Sequence, residues 1–406
     1  MHTYDHIIIG GGLIGASIAW HLARQTNQSI VVLERNGLAS AASSLAAGLV
    51  LQVTGNANNT PLAKLSRDTI TTLAQDWGQP TGFHESGSIR ITDTDNSSRN
   101  LNLLIKEAKN YHIPVELINA DTARQKVPWL DTSNAKTIVH FPTDGYVDPY
   151  QLSMAYIKSA RQLGTRFETQ CAVDKILHEN GKIVGVSTSI GKIYGSTVIN
   201  AAGAWSSVLN ADAGFPLPFV PVRSHYWIAK ADTKYGGEHP VVILPDAAAY
   251  TRPETGGLLV GIQESESCTF NAMELPDNPV DFSITKNEEH WDILIKASQI
   301  VAKRFPGINQ AEFTNYIAGL STYSPDGQLV LGEIKEVAGL FVASGCCGSG
   351  VMLSAGIGKA AACLMTNKKP PFDLTPFDVN RFGQVNPYSD SFRQRCGKAR
   401  SMKSSR

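Results

Sequence analysis

The sequence predicts an α/β fold joined to an antiparallel α+β part. Residues 4–34 read as strand, glycine turn, helix, strand and acid; residues 218–323 read as short alternating runs; residues 339–365 return to strand, glycine turn and helix. A chain of 406 residues exceeds what one compact core usually holds, so two structural parts are expected. A hydrophobic share of 42% supports large buried cores, and a formal net charge of zero favours neither nucleic acid nor a membrane surface as partner.

The first unit opens with Ile7-Ile8-Ile9, an apolar run that suits a buried parallel strand. Gly10, Gly12 and Gly15 then fit G-x-G-x-x-G, with Leu13 and Ile14 inside the pattern. Gly10 permits the tight turn, Gly12 lets backbone approach a pyrophosphate, and Gly15 lets helix and strand pack closely. Ala16 to Ala23 reads as a helix whose N-terminus faces the phosphates, and Ser29 to Leu33 as a second strand. Glu34 at its end can accept a ribose hydroxyl. A glycine pattern inside a complete strand–helix–strand–acid unit is a specific dinucleotide signal; alone it is a structural turn.

Small residues dominate from Gly37 to Gly48, which suits backbone lying against a flat ligand, and a place directly after the ribose acid favours that over a flexible linker. Helices are expected over Pro61 to Trp77, Asn100 to Tyr111, Ala120 to Val127 and Tyr150 to Leu163, and strands over Gly87 to Ile91, Cys171 to His178 and Val184 to Thr188. Ser196 to Trp205 is a second apolar strand ending in small residues and a glycine. Alternating runs at His225 to Ala229, Ala248 to Arg252 and Gly257 to Gly261 predict an antiparallel sheet, followed by a helix over Glu288 to Phe305. The strand Gly339 to Ser344, the turn Gly345 to Gly350 and the helix Val351 to Met365 offer a second helix N-terminus to a ligand. From Arg393 onward the chain carries Arg395, Lys398, Arg400, Lys403 and Arg406 with no acid, and reads as a disordered, solvated end or a contact for a partner or acidic lipid.

No apolar run is long enough to span a bilayer, and a first strand starting near Tyr4 leaves no room for a signal peptide. The six cysteines lack metal-binding spacing. They suit free thiols in a reducing compartment, so a cytoplasmic location is expected.

The ordered set of Gly10 to Gly15, Glu34, Ala46-Ala47-Gly48, Val198 to Trp205, Ser324 to Gly327 and Gly345 to Lys359 resembles the flavin amine-oxidoreductase family of glycine oxidase, D-amino-acid oxidase, sarcosine oxidase and dimethylglycine dehydrogenase. The resemblance implies a Rossmann-type FAD domain (1–80, 142–217 and 324–370) interleaved with an antiparallel-sheet substrate domain (81–141 and 218–323), then a C-terminal extension (371–406). It places Glu34 and Arg35 at the adenosine ribose, and Ser43 and Ser44 near the diphosphate. Ala47, Gly48 and Leu49 should lie along the isoalloxazine, Val173 at adenine, and Ala202, Gly203 and Trp205 at the second strand's end. The turn holding Gly345, Gly348, Ser349, Gly350, Val351 and Met352 should cover the pyrimidine end of the ring, where reduction builds negative charge.

Departures narrow the expectation. Glycine oxidases keep carboxylate-clamping arginines where this chain has Ser321 and Gly348, and family members that attach flavin covalently do so at positions matching Leu45 and Gly319. The resemblance therefore implies non-covalent FAD. The stretches Pro221 to Tyr226 and Tyr250 to Gly261 resemble the sarcosine and dimethylglycine dehydrogenase branch.

The implied reaction is oxidation of a C–N bond in a secondary or N-methylated amino acid by hydride transfer to flavin N5. The electrons pass on to oxygen, a quinone or an electron-transfer partner. A D-amino-acid or glycine oxidase, a 2-hydroxy-acid dehydrogenase and a flavoprotein subunit of a larger complex are the alternatives. Tyr250, His225 and Tyr226 are the catalytic candidates, each with a packing role as its rival. Arg252 suits a carboxylate fork or an ion pair with Glu254, and Arg90 and Arg223 are further anchors. Cys346 and Cys347 fit either a crowded turn or redox chemistry.

Overall fold

The computed structural model describes residues 2–230, 232, 235, 238–277 and 289–405. The strand His2–Ile9 ends in buried residues and pairs in parallel with Ile30–Leu33 on one side and Gly191–Asn200 on the other. Parallel neighbours need a crossover, and the helix Leu13–Ala23 supplies it. The sheet runs in the order Val330–Glu333, Leu340–Ser344, Gly191–Asn200, His2–Ile9, Ile30–Leu33, Arg166–Glu168. The antiparallel strands Val173–Glu179 and Lys182–Thr188 attach to Gly191–Asn200. Against its helical face pack Leu13–Ala23, Thr60–Gln75, Pro149–Gln162 and Ser354–Met365. Trp20 and Tyr156, both fully buried, meet edge-on there with centroids 5.7 Å apart.

A second sheet runs Phe313–Tyr323, Val220–Lys230, Gly257–Ile262, Ala249–Glu254, Val241–Leu244, Ser88–Thr92, Thr137–Phe141, Glu116–Leu117. Its pairs are antiparallel except Val241–Leu244 with Ser88–Thr92. Trp227, Ile89, Val242, Leu258 and Phe305 form the core on one face. The helix expected over 288–305 is Glu289–Val301, Glu288 lying outside the described residues. The helix expected from Asn100 starts earlier, at Asp95, because Thr94 caps it by accepting from the Ser97 amide at 3.2 Å.

The basic tail is not a disordered end. It forms the helix Asp390–Ser401, capped where Ser389 Oγ accepts from the Phe392 amide. Phe392 and Cys396, one turn apart, bury against Val220, Val222, Tyr323 and Cys347. Burial of that short apolar stripe outweighs the charge excess that pointed to disorder.

Candidate active site

The glycine turn has the geometry a dinucleotide needs. Gly10 has φ +106°, and a Cβ on Gly15 would collide with the Gly10 carbonyl, so strand and helix touch through glycine alone. Ser43 Oγ accepts from the Leu13 amide at 2.9 Å, at the start of the helix. A Cβ on Gly12 would stand 3.0 Å from that oxygen and fill the cradle between them. Glu34 accepts from the Gly11 amide at 2.7 Å and the Asn36 amide at 2.8 Å, which aims its carboxylate into the groove with lone pairs left for hydroxyls.

Ile14, Val173, Ala202 and Gly203 complete a groove of about 260 Å³. Arg35 stands at its rim, paired with Asp277 at 2.9 Å and lying 5.8 Å from the Trp205 ring centroid. Ser44 is turned away: it is exposed, and its hydroxyl donates to the Ala41 carbonyl at 3.0 Å. Only Ser43 of the two serines faces the phosphate position.

The turn after Leu340–Ser344 divides its residues between two spaces. Cys346, Gly348, Gly350 and Val351 reach the groove, while Ser349 and Met352 reach an adjoining cavity. Gly345 reaches neither; a Cβ there would press on Val330 and Phe219, so it serves packing. The helix begins only at Ser354, and its Ala355 and Gly356 amides donate to Ser66 Oγ at 3.1 and 3.3 Å. The expected open helix N-terminus is therefore already capped, and the turn's own amides remain to meet a ligand. Burial pushes the Cys346 thiol up to about 12, which keeps it a neutral thiol.

The adjoining cavity has a volume of about 390 Å³ and shares Leu45, Ala46, Gly319 to Ser321, Gly348 and Val351 with the groove. Ala47, Gly48 and Leu49 line it from one side, Tyr226 and Tyr250 from the other. Burial pushes both phenols up to about 12, so they are neutral hydrogen-bond donors at ordinary pH. Ser224 and Ser321 face each other at its wall, their hydroxyls 2.8 Å apart.

His225 borders this cavity, but its side chain is not exposed to it as an acid or base. Strand alternation sends it to the face opposite Tyr226, where its side chain has no exposure and packs 4.7 Å from Trp227. Its Nδ1 meets Tyr316 Oη at 2.9 Å, and burial with the nearby Arg223 charge pushes its pKa down to about 3.

The arginines also part company. Arg252 is committed elsewhere: Nε donates to Ala47 O at 2.5 Å, a terminal nitrogen to Pro253 O at 2.6 Å, and the other pairs with Glu254 at 2.8 Å. That arrangement braces the Ala47 backbone and does not fit the expected carboxylate fork. Arg223 is buried in a bidentate pair with Glu264, likewise away from the cavity. Arg90 does line the cavity, donating to Val53 O at 2.5 Å with Asp144 at 3.9 Å.

Two cavity residues escaped the sequence reading as site residues: Arg400 and Lys403, from the C-terminal helix and the turn after it. The legible signal was Ser389-Asp390 as a helix start, followed by Phe392 and Cys396 at helical spacing. Among the described residues no helix is long and apolar enough to cross a membrane, and no cluster of side chains is arranged to hold a metal.

Comparison with known proteins agrees with this geometry. Residues 5–364 match the sequence model of the DAO family, FAD dependent oxidoreductase. The 4-methylaminobutanoate oxidase (formaldehyde-forming) of Paenarthrobacter nicotinovorans is 32% identical over 377 residues, 93% of this chain and 45% of that protein. Mitochondrial dimethylglycine dehydrogenase of Homo sapiens is 28% identical over 392 residues, 94% of this chain and 44% of that protein. The chain thus spans about half the length of these curated relatives. Glycine oxidase from Geobacillus kaustophilus has a crystal structure that superposes with a TM-score of 0.78 at 26% identity, covering 95% of this chain and 100% of that one. A match along most of the chain, over a groove whose glycine turn, ribose acid and serine fit the dinucleotide, makes this protein a member of the FAD dependent oxidoreductase family with FAD as its cofactor.

Proposed function

We propose that this protein oxidises the C–N bond of a small amino acid carrying an alkylated nitrogen, bound in the cavity beside the dinucleotide groove. The observation that carries the reading is the shared wall: Leu45, Ala46, Gly319 to Ser321, Gly348 and Val351 border both spaces, so a substrate in one lies against a ring in the other. Residues 1–80, 142–217 and 324–370 form the FAD part in this reading, and 81–141 with 218–323 the substrate part. FAD, when bound, supplies the acceptor for the hydride on the carbon beside nitrogen.

The protein's own residues prepare the amine. Arg90, Arg400 and Lys403 line the cavity, and cationic surroundings favour the neutral amine over the ammonium. A neutral amine keeps the lone pair that drives hydride loss. Tyr226 and Tyr250 stand on the amine's side as neutral phenols, whose oxygens can accept from an amine N–H and leave the lone pair free, and they exclude water from that side. The relatives named for 4-methylaminobutanoate and dimethylglycine support an N-alkyl substrate over glycine.

Anaerobic bleaching of the flavin by a panel tests this. Sarcosine, dimethylglycine, 4-methylaminobutanoate or proline should reduce it faster than glycine, D-alanine or 2-hydroxy acids. Faster reduction by glycine or by a hydroxy acid overturns the reading.

A further inference from the structure

Two cations enter the cavity from the C-terminal segment, and among the described residues neither forms an ion pair with a carboxylate. Arg400 is 4% exposed; its Nε donates to the Arg223 carbonyl at 2.8 Å, and its guanidinium carbon lies 5.8 Å from the Tyr323 ring centroid. Lys403 Nζ donates to Cys347 O at 2.7 Å and to Ser349 Oγ at 2.9 Å. Both groups carry more N–H donors than these bonds use. A buried cation met only by neutral oxygens is expensive unless an anion completes its site.

The placement is specific. Gly348 has φ +69°, and a Cβ on it would stand 2.6 Å from Tyr323 Oη and 3.4 Å from Lys403 Nζ. The space above the turn that borders both groove and cavity is thus filled by Tyr323 and the Lys403 ammonium. The supporting helix is held down by Phe392 and Cys396, and by Gly397 against Thr269, where a Cβ would come within 3.0 Å. Arg252 and Arg223 have their donors committed to Ala47, Pro253, Glu254 and Glu264, whereas Arg90 makes one bond to Val53 O and keeps a buried Nε without a partner, but its charge already faces the Asp144 carboxylate at 3.9 Å.

We propose that Arg400 and Lys403 bind the substrate carboxylate, so that the C-terminal helix completes the substrate site. The assignment rests on the reading that the cavity takes a small amino acid. It adds the group that fixes which end of the substrate faces the helix: the carboxylate lies at Lys403 and the alkylated nitrogen is left toward Tyr226 and Tyr250.

The test is isothermal titration of acetate, and of its uncharged counterpart acetamide, into the FAD-loaded full chain. Arg400→Met and Lys403→Met should each weaken acetate about tenfold or more, the loss of a charge-assisted hydrogen bond, and leave acetamide unchanged. Lys403→Arg should restore most of the affinity. Arg400→Met also removes the bond to the Arg223 carbonyl and risks loosening the helix; Lys403→Met, whose loss touches only the turn, keeps the test decisive if that variant fails to fold.

Acetate binding that is undetectable in the parent, or equally tight in Lys403→Met, overturns the assignment. So does an equal loss for acetamide, which would mean general damage to the cavity, or a loss confined to FAD affinity. The two readings fail separately. If acetate behaves as stated while no amino acid bleaches the flavin, the amine reading falls and the anion anchor stands. If N-alkyl amino acids bleach the flavin with unchanged half-saturation in Lys403→Met, the anchor falls and the amine reading stands.

Discussion

Leu45 rests against Gly319, its Cβ 3.2 Å from where a Cβ on Gly319 would stand. The two positions at which the resemblance would place a covalent flavin link thus meet each other in the shared wall, and neither carries a nucleophilic side-chain atom. FAD should therefore be held without a covalent bond, and acid precipitation should leave the yellow colour in the supernatant. Colour retained in the pellet would show another attachment point.

Glu34→Ala should weaken FAD by about 1–3 kcal/mol, because the ribose loses a charged acceptor and the Gly11 amide loses its partner. Equilibrium dialysis measures the change. Unaltered affinity would remove Glu34 from the ribose site.

Arg252→Lys should act on the flavin side and not on the substrate. Lysine cannot reproduce a planar fork that reaches Ala47 O, Pro253 O and Glu254 together. A drop of about 1–3 kcal/mol in unfolding free energy, with weaker FAD retention, is the expected result from denaturant titration. Acetate affinity of the loaded variant should match the parent; a selective loss of acetate would return Arg252 to the carboxylate.

The ring of Tyr250 lies over Gly261, where a Cβ would collide with it. Gly261→Ala should push the ring from its place and slow flavin reduction more than Tyr250→Phe, which removes only the hydroxyl. Rapid-mixing reduction with the best amine of the panel separates the two. Equal rates in all three proteins would leave Tyr250 a packing residue.

Acetate affinity should fall as pH rises through about 8. Burial lowers the Lys403 ammonium from its usual 10.5 to about 8, so its charge is present below that value and lost above it. Around it stand Arg400, Asp246 on the same cavity lining, and Tyr323 and Cys346, both held neutral through this window by burial that raises them to about 12. Burial also raises Cys347. Lys403→Arg should flatten the profile above pH 8; an unchanged profile in that variant would assign the titration to another group.

The dinucleotide unit was legible in the sequence because its parts are neighbours in the chain. The strand before Gly10, the helix after it and the acid at Glu34 act within one local turn, and Gly15 meets Gly10 by local geometry alone. The strand read from Ser196 to Trp205 starts earlier, at Gly191, and stops at Asn200 before the turn Gly203–Trp205, because ladder partners set its ends.

The substrate side depended on distance in sequence. Alternation shows that Tyr226 and His225 face opposite ways, but only the packed sheet decides which face meets the cavity. Arg252 found its partner in a carbonyl 205 residues away. The tail cations settled on the carbonyls of Arg223 and Cys347, acceptors that every residue carries and no composition distinguishes. Local motifs state their geometry in the chain itself; long-range hydrogen bonds to backbone do not, because the acceptor is the same at every position until the fold brings one of them near.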